Sequence, residues 1–487
     1  MNLARLVFPA LRWKGRSPDA VWPEVRSALD LGVGGFVVFG GSASGMRVLS
    51  ERARNYSGYP LLFSADLERG GGQQLEGATP LPPAAALAGL DDMAVRDAAC
   101  ITAEEAAAAG IGWVLAPVAD LDVEPANPIV GTRSFGASPA AVSGRVGSWI
   151  AAAQAKGVIA CAKHYPGHGR TTVDSHAALP VVTSPREMLE ADLAPFRAAV
   201  AAGVRSVMMA HVSYPALDPS GMPASMSEEI IGQLRSDLGF DGIVATDALI
   251  MGAVSAMGMS ESAAAVAMVH AGCDAVLYPS SPQDTIAALE AALGSAALAR
   301  RRVVAALERI ERAATGLAAK ADDFSKAGNA ERGLALATDA IRPLRGAVPQ
   351  IESGQRLKIQ IIDDDLVVPA GAAAGPGSVP RDRQRLSEAV AAQGGELLTD
   401  PEAPGALQLV ALFSEVRGWK GRSDLAPETV VQVARAIERE PEATVLLFGH
   451  PRLAEQLPSA TAVICAWTGD PPMQEALAAR LFASASA

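Results

Sequence analysis

Over its first 320 or so residues the chain alternates short apolar runs with alanine-rich helical stretches, and nothing else in it limits the fold as strongly. Eight runs predict strands: LARLVFPA (3–10), GFVVF (35–39), LLFSAD (61–66), GWVLAPVADL (112–121), VIACAKH (158–164), VRSVMMAH (204–211), GIVATDAL (242–249) and CDAVLY (273–278). Most are continuously apolar, the pattern of parallel strands covered on both faces. Helical stretches such as 91–110, 138–156 and 186–202 lie between them, and a long one, about 283–320, follows the last. Eight strand–helix units in this length predict an α/β chain whose residues 1–320 form a (β/α)8 TIM barrel.

At 487 residues the chain exceeds one core, so a second, smaller domain is expected. Residues 321–355 have mixed polarity and read as a linker containing a helix. From 356 to 487 the alternation resumes: LKIQIID (357–363), LQLVALF (407–413), ATVLLFG (443–449) and AVICAW (462–467), with helical runs at 381–393, 426–439 and 471–484. This predicts a small α/β sandwich, with the Pro/Gly/Ala-rich stretch 368–380 as an exposed loop. The string WKGRS occurs at 13–17 and again at 419–423 in unmatched surroundings, and reads as coincidence or a recurrent loop solution.

The formal net charge of -12 and the absence of any Lys/Arg-rich tract speak against nucleic acid or an anionic membrane as partner. No apolar run reaches the ~18 residues of a membrane span. The start, MNLARLVFPALRW, lacks a cationic n-region and reads as a first strand, so a cytoplasmic protein is expected. Cys100, Cys161, Cys273 and Cys465 form no CxxC pair and read as free thiols, mostly buried. A homo-oligomer is compatible with all of this.

Polar clusters fall where strands end: Asp66-Leu67-Glu68, Asp120-Leu121-Asp122, Lys163-His164, His211 and Asp247. In a (β/α)8 barrel those ends form the active-site mouth. Three of six histidines lie in KHYPGHGRTTVDSH (163–176). In an extended segment Asp174 and His176 point the same way, so the carboxylate can fix the imidazole as a general acid/base. The glycines at 167 and 169 predict a mobile loop, in which Gly169→Pro lowers turnover more than stability. Asp247, in GFDGIVATDALIMGAV (239–254), stands at a strand end where a nucleophile would be rigidly held; a helix N-cap is its bland alternative. Asp66 in SADLERGGGQQ and Arg133 in NPIVGTRSFG suit sugar hydroxyls and carbonyls, or a loop salt bridge. His211 is as compatible with lining the site as with chemistry. The spacing of His164, His168, Asp174 and His176 fits no strong metal motif, so neither metal nor organic cofactor is expected. His270 and His450 read as structural.

These residues resemble glycoside hydrolase family 3, and within it the β-N-acetylhexosaminidases, whose signature KHYPGHG with its downstream DSH is closely matched. FVVFGG, SADLERGGGQQ, LAPVADL, NPIVGTRSFG, MMAHVSYPALD, GFDGIVATDALIMGA and AGCDAVLYP align in order over about 1–320. The resemblance implies Asp247 as nucleophile, His176 as acid/base with Asp174 as its dyad partner, and Asp66, Arg133, Lys163 and His164 as contacts to a terminal sugar. Thr246 stands where members have Ser, and Gln74 where members often have Arg, which leaves the exact sugar open. The reaction implied by the resemblance is double displacement on terminal β-linked N-acetylglucosamine, with water or phosphate as acceptor. A β-glucosidase or β-xylosidase of the same family, and a silent carbohydrate-binding barrel, are the alternatives; muropeptide and chitin oligosaccharide are equally compatible substrates.

Overall fold

The computed structural model describes residues 1–317, 326–367, 382–398, 405–416 and 420–483. They form two compact units. The first comprises Met1–Pro80, Asp92–Glu124 and Ser134–Ala330; the second comprises Leu81–Asp91, Pro125–Arg133 and Glu331–Ala487. The second unit thus takes in two short segments from the part of the sequence assigned to the barrel.

The first unit contains strands β1 (Val7–Phe8), β2 (Ala10–Arg12), β3 (Gly35–Phe39), β4 (Leu62–Ala65), β5 (Trp113–Val114), β6 (Ile159–Tyr165), β7 (Ser206–Met209), β8 (Ile243–Ala245) and β9 (Val276–Leu277). Strands β2 to β8 make one parallel sheet in chain order. Pro9, which has no amide hydrogen to donate, separates β1 from β2. One side of this first stretch pairs with β9 through β1, and the other with β3 through β2. A parallel bridge from Ala245 to Ala275, with the Thr246 amide on the Ala275 carbonyl at 2.9 Å, joins β8 to the approach to β9. The sheet therefore curls around into a barrel of eight strand positions.

A helix follows each position: Pro18–Leu31, Ala43–Ser57, Asp92–Ala108, Pro139–Ala155, Arg186–Ala201, Glu228–Ser236, Glu261–Ala271 and Pro282–Gly294. Ser17, Ser42, Ser138, Ser227, Ser260 and Ser281 cap six of them, each hydroxyl accepting a first-turn amide. Two expectations need correcting. Leu3–Leu6 is a 3-10 turn, so the first strand begins later and runs to Arg12. The stretch 283–320 holds two helices, Pro282–Gly294 and Arg300–Thr315, separated where Ala296 adopts φ 62°. The run 112–121 pairs regularly only at Trp113–Val114, because Pro117 interrupts it; β6 amides nonetheless reach the carbonyls of Ala116 (2.8 Å) and Pro117 (3.2 Å). Inside the barrel Phe8 meets Trp113 edge-on, while Phe36 stacks on Phe63 on the helix-covered face of the sheet. A Cβ on Gly35 would lie 1.7 Å from the Leu62 carbonyl oxygen, so only glycine allows β3 and β4 to approach there.

The second unit is built on β10 (Arg342–Arg345), β11 (Arg356–Asp363), β12 (Glu396–Leu397), β13 (Leu407–Ser414), β14 (Thr444–Gly449) and β15 (Ala462–Cys465). Their order is β10-β15-β14-β13-β11-β12, parallel except for β10. Apolar clusters cover both faces, one around Phe413 and Phe448, the other around Val433 and Ile437. The stretch read as a linker holds edge strand β10. The Pro/Gly/Ala-rich segment 368–380 lies outside the described residues. The two WKGRS copies have different surroundings: Arg16 pairs with Glu24 on the surface, while Lys420 and Arg422 grip the buried Asp364. Among the described residues no helix is long and apolar enough to cross a membrane.

Candidate active site

Asp66 directly follows β4, Lys163 and His164 lie near the end of β6, and His211 and Asp247 stand two residues beyond β7 and β8. Because the strands are parallel, these positions share the carboxyl-end mouth of the barrel. Lys163 is buried, and its Nζ is held by Asp66 at 2.6 Å and by Glu68 at 2.7 Å. Asp66 keeps 32% of its side chain exposed.

His164 is fixed by the fully buried Asp120. One carboxylate oxygen lies 2.7 Å from Nδ1; the other accepts the backbone amides of His164 (3.0 Å) and His168 (2.7 Å). Burial favours the neutral carboxyl, but His164 and His168 outweigh it and hold Asp120 below the ordinary carboxylate range. Nε2 of His164 is then 4.0 Å from Asp247 Oδ2.

Asp247 retains 19% of its side-chain surface. Its burial opposes ionisation, yet the imidazoles of His164, His211 and His176, with the Ala248 amide at 2.7 Å, hold its carboxyl below the usual value. It is therefore an open, ionised carboxylate at neutral pH. The buried Thr246 fastens it from behind, its Oγ1 accepting the Leu277 amide at 3.0 Å.

Asp174 accepts from the His176 amide at 2.9 Å and lies 2.7 Å from His176 Nδ1. The pair meets by a different route than expected: Asp174 opens a turn, its carbonyl taking the amides of Ala177 and Ala178, and is not part of an extended segment. With Nδ1 engaged, Nε2 is the nitrogen that could exchange a proton with a ligand. The carbonyls of Ser175 and His176 accept the amides of Ala253 (3.1 Å) and Gly252 (3.0 Å), which docks the dyad on the segment just after Asp247.

The glycines of this loop are closely packed. Gly167 has φ 135°, and its carbonyl accepts the Tyr214 hydroxyl at 2.8 Å. A Cβ on Gly169 would lie 1.9 Å from the Leu121 carbonyl oxygen, so Gly169→Pro costs stability as well as turnover. Arg170 is tied to the buried Asp192 at 2.6 Å.

His211 is buried, with Nδ1 2.7 Å from Ser225 Oγ and Nε2 completing no hydrogen bond. Burial pushes its pKa down. Arg133 belongs to the second unit, on a turn whose Asn127 side chain accepts the amides of Ile129 and Val130; its guanidinium donates to the Ile129 carbonyl at 3.0 Å. Among the described residues no three His, Cys, Asp or Glu side chains are arranged to hold a metal ion.

Residues 28–313 match the model of the glycosyl hydrolase family 3 N terminal domain. The chain belongs to this family. Within family 3 it is 36% identical over 264 residues to a "Beta-N-acetylglucosaminidase/beta-glucosidase" of Cellulomonas fimi, a match spanning 52% of this chain and 46% of that protein. It is also 36% identical over 270 residues to a "Beta-hexosaminidase" of Alkalilimnicola ehrlichii, covering 53% of this chain and 76% of the relative. Among solved structures it resembles a glycoside hydrolase family 3 beta-N-acetylglucosaminidase from Paenibacillus sp. at 26% identity and TM-score 0.82, over 99% of this chain and 96% of that one.

For a family 3 chain the sequence signal at the site was uneven. Asp120 and Glu68 were visible as acidic residues at strand ends, though their partners were not. Asp192, Tyr214 and Ser225 gave no signal, since each reaches the site from a helix or loop far along the chain.

Proposed function

We propose that the chain is a retaining β-N-acetylglucosaminidase that removes terminal β-linked N-acetylglucosamine. The observation that carries this is Asp247, an ionised and partly open carboxylate at a strand end, within electrostatic reach of a histidine already oriented by its own aspartate. Asp247 attacks the anomeric carbon while His176 Nε2 protonates the departing oxygen. His176 then takes a proton from the incoming water, whose oxygen displaces Asp247 and restores the starting configuration. Asp174 stabilises the imidazolium form of His176 on either side of these proton transfers. Asp66, Lys163, His164 and His211 are the proposed sugar contacts, and no step calls on a metal or cofactor. The names carried by the Alkalilimnicola and Paenibacillus relatives favour the N-acetyl sugar over glucose or xylose.

A cytoplasmic setting, with muropeptide fragments of cell-wall recycling as natural substrates, belongs to the same proposal. Cys161, Cys273 and Cys465 are buried thiols outside any disulfide, which a reducing compartment maintains. The test is release of p-nitrophenol from its β-N-acetylglucosaminide by wild type and Asp247→Asn, with and without phosphate. Wild-type turnover should fall by several orders of magnitude in the variant. A sugar-1-phosphate product would change the acceptor from water to phosphate. Undiminished activity in Asp247→Asn, or preference for the aryl glucoside, would overturn the reading.

A further inference from the structure

His168 has no part in the proposed chemistry, yet it is the most enclosed histidine of the loop, with 1% of its surface exposed. Thr171 Oγ1 lies 2.8 Å from its Nδ1 and Ser175 Oγ 3.0 Å from its Nε2. The Thr171 hydroxyl donates to the His168 carbonyl at 3.1 Å, so toward the ring its oxygen accepts. Nδ1 therefore carries the ring proton, and Nε2 accepts from the Ser175 hydroxyl. Burial drives the ring's pKa down to about 4, and the pattern of one donor and one acceptor holds at neutral pH. At the other end, the His168 amide donates to the same Asp120 carboxylate that holds His164, and the two rings meet edge-on with centroids 5.8 Å apart. Ser175 stands between Asp174 and His176, and its carbonyl takes the Ala253 amide.

We propose that His168 is a positioning residue that couples the His164 side of the site, through Asp120, to the Asp174–His176 dyad, through Ser175. The proposal rests on the glycosidase reading and its assignment of His176 as acid/base. A histidine replaced by an apolar residue of similar size would leave Ser175 and the Asp120 frame unlinked, and His176 would meet the departing oxygen less often in line.

The experiment compares kcat/KM for phenyl, p-nitrophenyl and 2,4-dinitrophenyl β-N-acetylglucosaminides, because only a poor leaving group needs the proton. The variants are His168→Asn, His168→Gln, Ser175→Ala and His176→Ala. A glutamine amide reaches toward the place of Nε2, whereas an asparagine reaches only toward Nδ1. His168→Asn should lower the phenyl substrate about tenfold more than the dinitrophenyl one, a fraction of what a general acid supplies, while His168→Gln stays within about threefold of wild type throughout. Ser175→Ala should share the asparagine signature without touching the ring. Equal losses on all three substrates, or no leaving-group dependence in His168→Asn and Ser175→Ala while His176→Ala shows it, would overturn the coupling. If His176→Ala itself shows none, the acid/base assignment fails, and the proposal with it.

Discussion

Asp120 carries more of the site's geometry than any other single side chain. It is fully buried, and its two oxygens accept three hydrogens: from the His164 ring, the His164 amide and the His168 amide. Asp120→Ala strands those donors in an apolar setting, where each costs about 1–3 kcal/mol. Urea unfolding should therefore register a loss of roughly 3–5 kcal/mol, with Asp120→Asn falling in between because its amide oxygen still accepts. A loss below about 1 kcal/mol would mean that water replaces the carboxylate. The acidic residue was visible in the sequence as part of a cluster at a strand end; that it serves two histidines 44 and 48 positions away was not.

At the scale of elements, the loop 165–176 is held by the helix Arg186–Ala201. Asp192 of that helix pairs with Arg170 through one oxygen, while the other is buried and completes no hydrogen bond. Burial outweighs the pull of Arg170, and the carboxyl is pushed up to about 6. An unfolded aspartate titrates near 3.9, so between about pH 4 and pH 6 the folded chain keeps a proton that the unfolded chain has released. The stability from this group is complete below about pH 4 and is lost as pH rises to about 6, a difference of ~2–3 kcal/mol. Asp192→Asn never ionises. Relative to wild type its unfolding free energy should improve by about 2 kcal/mol between pH 4 and pH 7. Urea titrations across that range would check this, and a pH-independent difference would mean that Arg170 keeps Asp192 charged.

Each unit of the whole molecule is fastened by a buried carboxylate among cations. In the first, Asp274 takes Arg235 at 2.6 Å, Arg302 at 2.7 Å and the Val244 amide at 2.9 Å. In the second, Asp364 takes Arg422 at 2.6 Å, Lys420 at 3.1 Å, Thr429 at 2.7 Å and the Ala426 amide at 2.9 Å. Burial opposes its ionisation, but Arg422 and Lys420 win and hold it far below the carboxylate range. Stability from Asp364 is thus present at neutral pH and lost only in strong acid. Asp364→Asn removes the carboxylate charge from Arg422 and leaves Lys420 only its pairing with Asp365 at 2.9 Å, which should cost about 3–5 kcal/mol. Hydrogen exchange should report the loss along β11 and β13 of the second unit; protection lost equally in both units would contradict it.

Most strand positions, several of the helices between them and the polar residues at strand ends were legible in the amino-acid order, because apolar periodicity acts locally. Strands β3, β11 and β13 stand within a residue of their apolar runs. The Asp174–His176 pair, two residues apart, was legible for the same reason. Three-dimensional packing was needed to show which way that pair turns and how closely Gly167 and Gly169 are packed. It was needed again to show that Asp120, Asp192 and Ser225 support residues far from them in the chain, and that Arg133 belongs to the second unit. The reason is physical: a side chain's hydrogen-bond partner across a barrel is set by where strands end in space, and no local pattern encodes that distance.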